Sequence, residues 1–545
     1  MRRMTRLEAT EGAIRAPFDG TTFPFKGDRV TPFEHEGRRY MRVVSRENGE
    51  QLFRVTRVIG GRYREDFVGR EVASTAADSP PAGDAGEEPV LPISYLLFAK
   101  TWRYKGYSVM VKERPHLGKH GAPWRQTCIF CHNTTPYLAT VYADLIGSGA
   151  RVYQGSVSDR LLPRDRLWTV EATGSAELGR ALKDEIAFLH GAAPPDGAAT
   201  KDLVGSAIQA TWDRFGQAQL VEVGIGCEAC HNGARQHVDD PRKMPSFAPT
   251  SPAIRMAAKG SDRKGDPGRA AWINHTCARC HTVLFSRYPY TWEGGRRAHD
   301  PGGSTINSGE ARDFLLGGCA SAMACTTCHD PHGEDRREDL DRLGTVAGNG
   351  VCLGCHGAYG TPEALRAHTH HAPEGEGSAC LACHMPRKNT GLAYRLTRYH
   401  RIGSPTDRAR VEKDRPLECA LCHADKSVDA LVGAMERWWK KSYDRGALAA
   451  LYGDDLGVNP LMAAATAGKP HEQIVAAAVL GERGPRSAAA ALAPLVGSEY
   501  PMVRYFARAG IESLVGKVMP VDLDGDAKAI EAEARAFVAG ALEKP

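Results

Sequence analysis

The chain has 545 residues, 42% of them hydrophobic and 25% charged, which is enough for two to four domains with sizeable cores. Its formal charge of +5 comes from 70 basic against 65 acidic residues spread along the sequence, and no lysine or arginine block is long enough to serve as a nucleic-acid arm. No apolar run approaches the ~18 residues of a membrane span, and the strongest short run, Tyr95 to Ala99, is only core-sized.

In chain order, residues 1–70 read as a small β module. Asn48-Gly49 is a hairpin signal between Tyr40–Val44 and Leu52–Ile59, and Gly60-Gly61 leads to a third strand ending near Val68. Residues 71–92, rich in Ala, Ser, Pro, Gly and Glu, show no periodicity and read as a flexible loop or linker. Residues 93–430 hold the chemistry. Beyond them, residues 431–545 turn Ala-rich and 3.6-periodic, as in Glu472–Leu480, Ser487–Leu495 and Val503–Val515. Val479-Leu480-Gly481 is echoed by Leu514-Val515-Gly516, so a HEAT-like helical domain, or a plain helical cap, is expected there.

The cysteines decide the chemistry. Fourteen of the 15 fall into one pattern, Cys-x-x-Cys-His, in seven copies: Cys128/Cys131/His132, Cys227/Cys230/His231, Cys277/Cys280/His281, Cys325/Cys328/His329, Cys352/Cys355/His356, Cys380/Cys383/His384 and Cys419/Cys422/His423. Chance would supply on the order of 0.02 such matches. Two thiols three positions apart can each bond one vinyl group of a haem, and the following imidazole can then ligate the iron. A disulfide framework needs no histidine after each pair, zinc would need two pairs per metal, and thioredoxin-like motifs do not recur seven times. Seven covalent c-type haems are therefore expected, with an eighth allowed for in a longer native chain. Cys319, the odd cysteine, reads as a buried, inert thiol.

Thirteen further histidines could supply second axial ligands. His237, His332, His371 and His400 are the first choices, followed by His116, His120, His275 and His299, all interleaved with the motifs. His368 and His370 cluster with His371 before Cys380, whereas His35 and His471 lie outside the motif-bearing stretch. Met385 reads as packing. The expected fold class is mainly α with little regular structure around the haems, plus the small N-terminal β module and a C-terminal helical, repeat-like domain.

The segments Val223 to His231, Cys325 to Gly333 (with Asp330-Pro331-His332) and His371 with Cys380 to Pro386 resemble multihaem cytochrome c families with doubled Cys-x-x-Cys-His motifs, including relatives of the tetrahaem cytochromes of nitrifying bacteria. The resemblance spans residues 128–423. It implies His332, His371 and His400 as distal ligands, and it covers both electron carriers and enzymes.

Electron transfer along closely spaced, mostly bis-histidine haems in an extracytoplasmic respiratory pathway is the leading expectation. Donor and acceptor cytochromes or a quinone-linked complex would be its redox partners, docking or oligomerising through the helical tail. The alternative is a multihaem reductase of a nitrogen or sulfur oxyanion at one open haem, with Arg279, Arg296, Arg297 and Tyr288 as possible auxiliary groups. Met1-Arg2-Arg3-Met4 is followed by polar residues rather than an apolar stretch, so the export signal that haem attachment outside the cytoplasm requires is expected upstream of Met1.

Overall fold

Apolar residues alternate with polar ones from Phe23 onward, and in the computed structural model they pair into one antiparallel sheet. The structure describes residues 4–76, 79, 88–108, 110–117, 121, 123–136, 168–170, 175–232, 234–247, 254–256, 269–282, 288–297, 302–333 and 337–543. Of the histidines proposed from sequence, His120 and His299 lie outside these residues, as do residues 77–78 and 80–87 of the 71–92 linker. By internal contacts the chain divides into two units, one of residues 1–105 and 116–280 and one of residues 106–115 and 281–545.

In the first unit, β2 (Phe23–Phe25), β3 (Asp28–His35), β4 (Arg38–Ser45), β5 (Gly49–Gly60), β6 (Arg64–Glu71), β7 (Val90–Leu96) and β8 (Thr101–Tyr104) lie side by side in sequence order, and β1 (Thr5–Leu7) adds to β5. The expected hairpin forms with Ser45 opposite Gly49, and the positive φ of Gly49 (70°) meets the turn. Gly60 (φ 89°) and Gly61 (φ 125°) turn the chain into β6. The inward faces bury Val30, Met41, Val43, Phe53, Val55, Phe67, Ile93 and Trp102.

The expectation of a mainly α chain with only a small β module is overturned. The sheet is large and barrel-like, and it continues past residue 70 through β7 and β8. Pairing of Asp66 with Ser94 and Arg64 with Leu96 crosses the Ala/Pro/Gly-rich stretch, a long-range match that local periodicity does not register. The apolar Tyr95-Leu96 belongs to β7.

Helices Ser175–His190 and Thr200–Arg214 pack as an antiparallel pair through Leu178, Leu182, Ile186, Leu203 and Ala207. A second cluster joins Leu189, Ala210 and Phe215 to Ile59, Val68 and Val90 of the sheet and to Ile129.

In the second unit, the described residues from 281 to about 425 form short helices and turns with a small hairpin, Arg387–Thr390 with Leu396–Arg398. From Val428 on, helices Val428–Trp439, Arg445–Tyr452, Pro460–Ala467, Pro470–Arg483, Pro501–Val515 and Ala527–Leu542 dominate. The two glycines of the sequence echo do different work. Gly481 touches Gly510 where helices 470–483 and 501–515 cross, a Cβ there standing 2.6 Å from the Gly510 Cα, whereas Gly516 (φ 69°) caps helix 501–515 in the left-handed region. No described helix is long and apolar enough to cross a membrane.

Candidate functional site

Each of the seven motifs is a single helical turn. In five of them the histidine N–H donates to the carbonyl of the first cysteine: His132 to Cys128 (3.0 Å), His231 to Cys227 (2.9 Å), His329 to Cys325 (3.2 Å), His356 to Cys352 (2.9 Å) and His423 to Cys419 (3.0 Å). The other two lie within helices Arg269–His281 and Cys380–His384. Positions i, i+3 and i+4 of a turn share one face, so two thiols and one imidazole are presented together. None of the fifteen cysteines is in a disulfide, and Cys227, Cys355 and Cys422 are exposed.

Neighbouring motifs are tied to each other by buried amides. Asn349 donates from Nδ2 to the Ser378 carbonyl (2.9 Å) and accepts from the Cys380 N–H at Oδ1 (2.8 Å), joining the fifth motif to the sixth. Asn133, just after the first motif, accepts from the Gly224 N–H (3.0 Å), and Thr134 Oγ1 accepts from the Gly226 N–H (2.8 Å), directly before Cys227. The thiol of Cys352 lies next to that of Cys380, and the thiol of Cys131 next to that of Cys280.

Among the described residues, His329, His384 and His423 each face a second imidazole. The ring centroids of His329 and His400 are 6.3 Å apart with 22° between planes. Those of His423 and His371 are 5.8 Å apart (29°), and those of His384 and His368 are 6.1 Å apart (4°). Two trans imidazoles on one metal, with metal–nitrogen bonds of ~2.0 Å and ring nitrogens ~1.1 Å from their centroids, stand about 6 Å apart. The orientation of the rings agrees with this. Nδ1 of His384 meets the Gly403 carbonyl (2.9 Å), Nδ1 of His371 the Thr369 carbonyl (2.7 Å) and Nδ1 of His400 the Arg398 carbonyl (3.0 Å), so Nδ1–H donates in each case and the Nε2 lone pair is left for a metal. Burial lowers the pKa of His400, His368 and His423, which favours the neutral imidazole that ligation requires.

The remaining sequence-proposed histidines lie elsewhere. His237 is held by its Nδ1 to the Lys243 carbonyl (2.9 Å), and His332 is exposed, its N–H donating to Asp330 (2.9 Å). His116 pairs with Glu47 (3.4 Å). His275 is buried on the helix that carries the third motif, edge-on to Trp272. His281 meets Glu310 through Nδ1 (3.2 Å). Sequence reasoning passed over His368, whose signal was its position three residues before His371 near the end of a short helix. His471 is buried, its Nδ1 2.6 Å from the Tyr288 hydroxyl, and Met385 is buried as expected. Of the proposed auxiliary groups, Arg279 donates to the Ala229 carbonyl (3.3 Å) and Arg296 lies over the Tyr290 ring.

A buried ionic network supports the sixth and seventh motifs. Lys388 reaches Glu418 (2.7 Å), the residue before Cys419, and lies over the rings of Trp292 (4.2 Å) and Tyr399 (4.6 Å). Arg410 pairs with Glu418 (3.1 Å), and the Tyr399 hydroxyl donates to Glu293 (2.7 Å). Burial pushes Asp414, also in this network, up to about 7 against the opposing charge of Lys388. Charges this deep are tolerated only when paired, so the network fixes where the segments around His384, His400 and Cys419 sit.

Comparison with known families finds a match to the doubled CXXCH motif over residues 319–361, which takes in Cys319 and the fourth and fifth motifs. No curated protein and no solved structure matches the chain. The CXXCH motifs imply covalent binding of haem c. The arrangement of thiols and imidazoles fits that group: both thiols and one imidazole share each turn, and three second imidazoles stand at the spacing two axial ligands require.

Proposed function

We propose that this chain is a multihaem c-type cytochrome that carries seven haems, one at each Cys-x-x-Cys-His turn, and passes electrons along them in an extracytoplasmic respiratory pathway. The observation that carries the reading is the set of three facing imidazole pairs at 5.8 to 6.3 Å. Bound haem would supply a centre that gains and loses one electron without bond rearrangement. The chain's own residues do the rest. Cysteine thioethers fix each ring in a loop-rich peptide, and carbonyls that accept from Nδ1 set imidazole orientation and basicity, which tunes each potential. The Cys352–Cys380 and Cys131–Cys280 contacts bring attachment edges together, favouring transfer between neighbours. His371 and His400 act as distal ligands, and His116, His120, His237, His275, His299 and His332 are the pool for the other sites. Redox partner proteins would dock at the helical tail.

The test is an electron paramagnetic resonance spectrum of the oxidised, haem-loaded chain, with haem quantified per polypeptide. About seven low-spin irons are expected. A high-spin iron that shifts on adding nitrite, hydroxylamine or sulfite would replace the carrier reading with a reductase.

A further inference from the structure

Helix Pro362–Thr369 ends in a turn that holds three histidines within four residues. His370 takes left-handed backbone angles (φ 58°, ψ 24°) and its N–H donates to the Arg366 carbonyl (2.8 Å), so the chain changes direction between His368 and His371. His368 therefore faces His384, and His371 faces His423. His370 faces neither. Its ring is stacked on Trp438 (4.8 Å, 20°) with Trp439 at its edge (5.2 Å).

Each ring has its own restraint. Trp439 Nε1 donates to the His368 carbonyl (2.8 Å). Thr369 Oγ1 accepts from the His371 N–H (3.2 Å) and shares a hydrogen bond with Ser378 Oγ (3.1 Å), which donates onward to the Ala372 carbonyl (2.8 Å). Gly377 leaves room for the His371 ring, since a Cβ there would overlap ring atoms Cγ and Cδ2.

We propose that this one turn supplies distal ligands to two different haems, His368 to the iron on His384 and His371 to the iron on His423, with Trp438 and Trp439 as positioning residues that keep His370 out of both. The proposal rests on the multihaem reading above. It assigns His368 a ligand role, and it makes the sixth and seventh haems a linked pair whose distal ligands are three residues apart along the chain.

The experiment uses the full haem-loaded chain and counts high-spin irons by paramagnetic resonance. His368→Gly and His371→Gly are each expected to convert one iron to high spin, and the double variant two, with low spin restored by added imidazole. His370→Gly should convert none. A double variant with a single high-spin iron would mean that both residues serve one haem, and an all-low-spin His368→Gly chain would remove His368 from ligation; either result overturns the proposal. Should the glycine variants fail to load haem, His368→Met supplies the second measurement. Thioether ligation should keep that iron low-spin, add a methionine–iron charge-transfer band and raise one midpoint potential. An unchanged spectrum overturns the assignment. Trp439→Phe, which removes only the indole donor, should shift the signal of one low-spin iron without changing the count; an unchanged spectrum would deny it the positioning role. A wild-type chain lacking the low-spin irons would instead sink the multihaem reading itself, so the two failures are distinguishable.

Discussion

Asn349→Ala cuts the side-chain link between the fifth and sixth motifs. Asn349 is buried, and its amide satisfies the Ser378 carbonyl and the Cys380 N–H at once. Truncation leaves both backbone groups without this partner, at ~1–3 kcal/mol each, so local stability should fall by about 2–6 kcal/mol. A chain of this size does not unfold in one step, which makes a single melting temperature a poor readout. Hydrogen exchange of the loaded protein reports the local opening instead. Amides of residues 376–384 should exchange between about 30-fold and about 20,000-fold faster, with the N-terminal sheet unaffected. Asn349→Asp keeps an acceptor for Cys380 but loses the donor to Ser378, and should fall between. Less than a threefold change in that segment for Asn349→Ala would refute the bridging role.

Arg504 is fully buried and holds Glu113 through two hydrogen bonds (2.9 and 2.7 Å), so Arg504→Ala should cost about 3–5 kcal/mol, and Glu113→Gln less; chemical denaturation followed by exchange in helix 501–515 measures both. Gly510→Ala would set a Cβ 2.6 Å from the Ala477 carbonyl oxygen and should destabilise by about 1–3 kcal/mol, whereas Gly540→Ala, with nothing within 4 Å, should stabilise helix Ala527–Leu542 by about 0.5–1 kcal/mol. If calorimetry ranks them the other way, the backbone-contact argument fails. Asp66 in β6 is buried, which raises its pKa, but Arg64 (3.0 Å), Lys105 (3.3 Å) and Ser94 outweigh burial and hold it well below its ordinary 3.8. Its folded value being depressed, it stabilises the sheet fully above pH ~3.8 and loses that contribution as pH falls through the folded value. Protection of β6 and β7 amides should drop in strong acid, and Asp66→Asn should flatten that dependence; equal flattening in wild type and variant would count against it.

The sequence exposed what is encoded within a few residues. A Cys-x-x-Cys-His turn, the Asn48-Gly49 hairpin and the Gly60-Gly61 turn each depend on neighbours in the chain, and each was readable as such. Strands β7 and β8 were not, because their pairing partners lie beyond the Pro- and Gly-rich stretch that looked like a boundary. Choosing among His368, His370 and His371 depended on a left-handed residue and on two tryptophans nearly seventy residues downstream, neither of which leaves a local pattern. The 35-residue echo pairs a helix-crossing glycine with a helix-capping one, a difference set by tertiary packing rather than by the local sequence.

The economy of the attachment turn has an evolutionary consequence. Five consecutive residues hold every covalent and proximal contact, and the turn closes its own hydrogen bonds. A short tandem duplication could therefore add a redox centre without redesigning a pocket, and a deletion could remove one as easily. In such chains the number of centres can drift with gene length, while a side chain that a site draws from a distant segment, like the second imidazoles facing His329, His384 and His423, cannot be copied in the same piece.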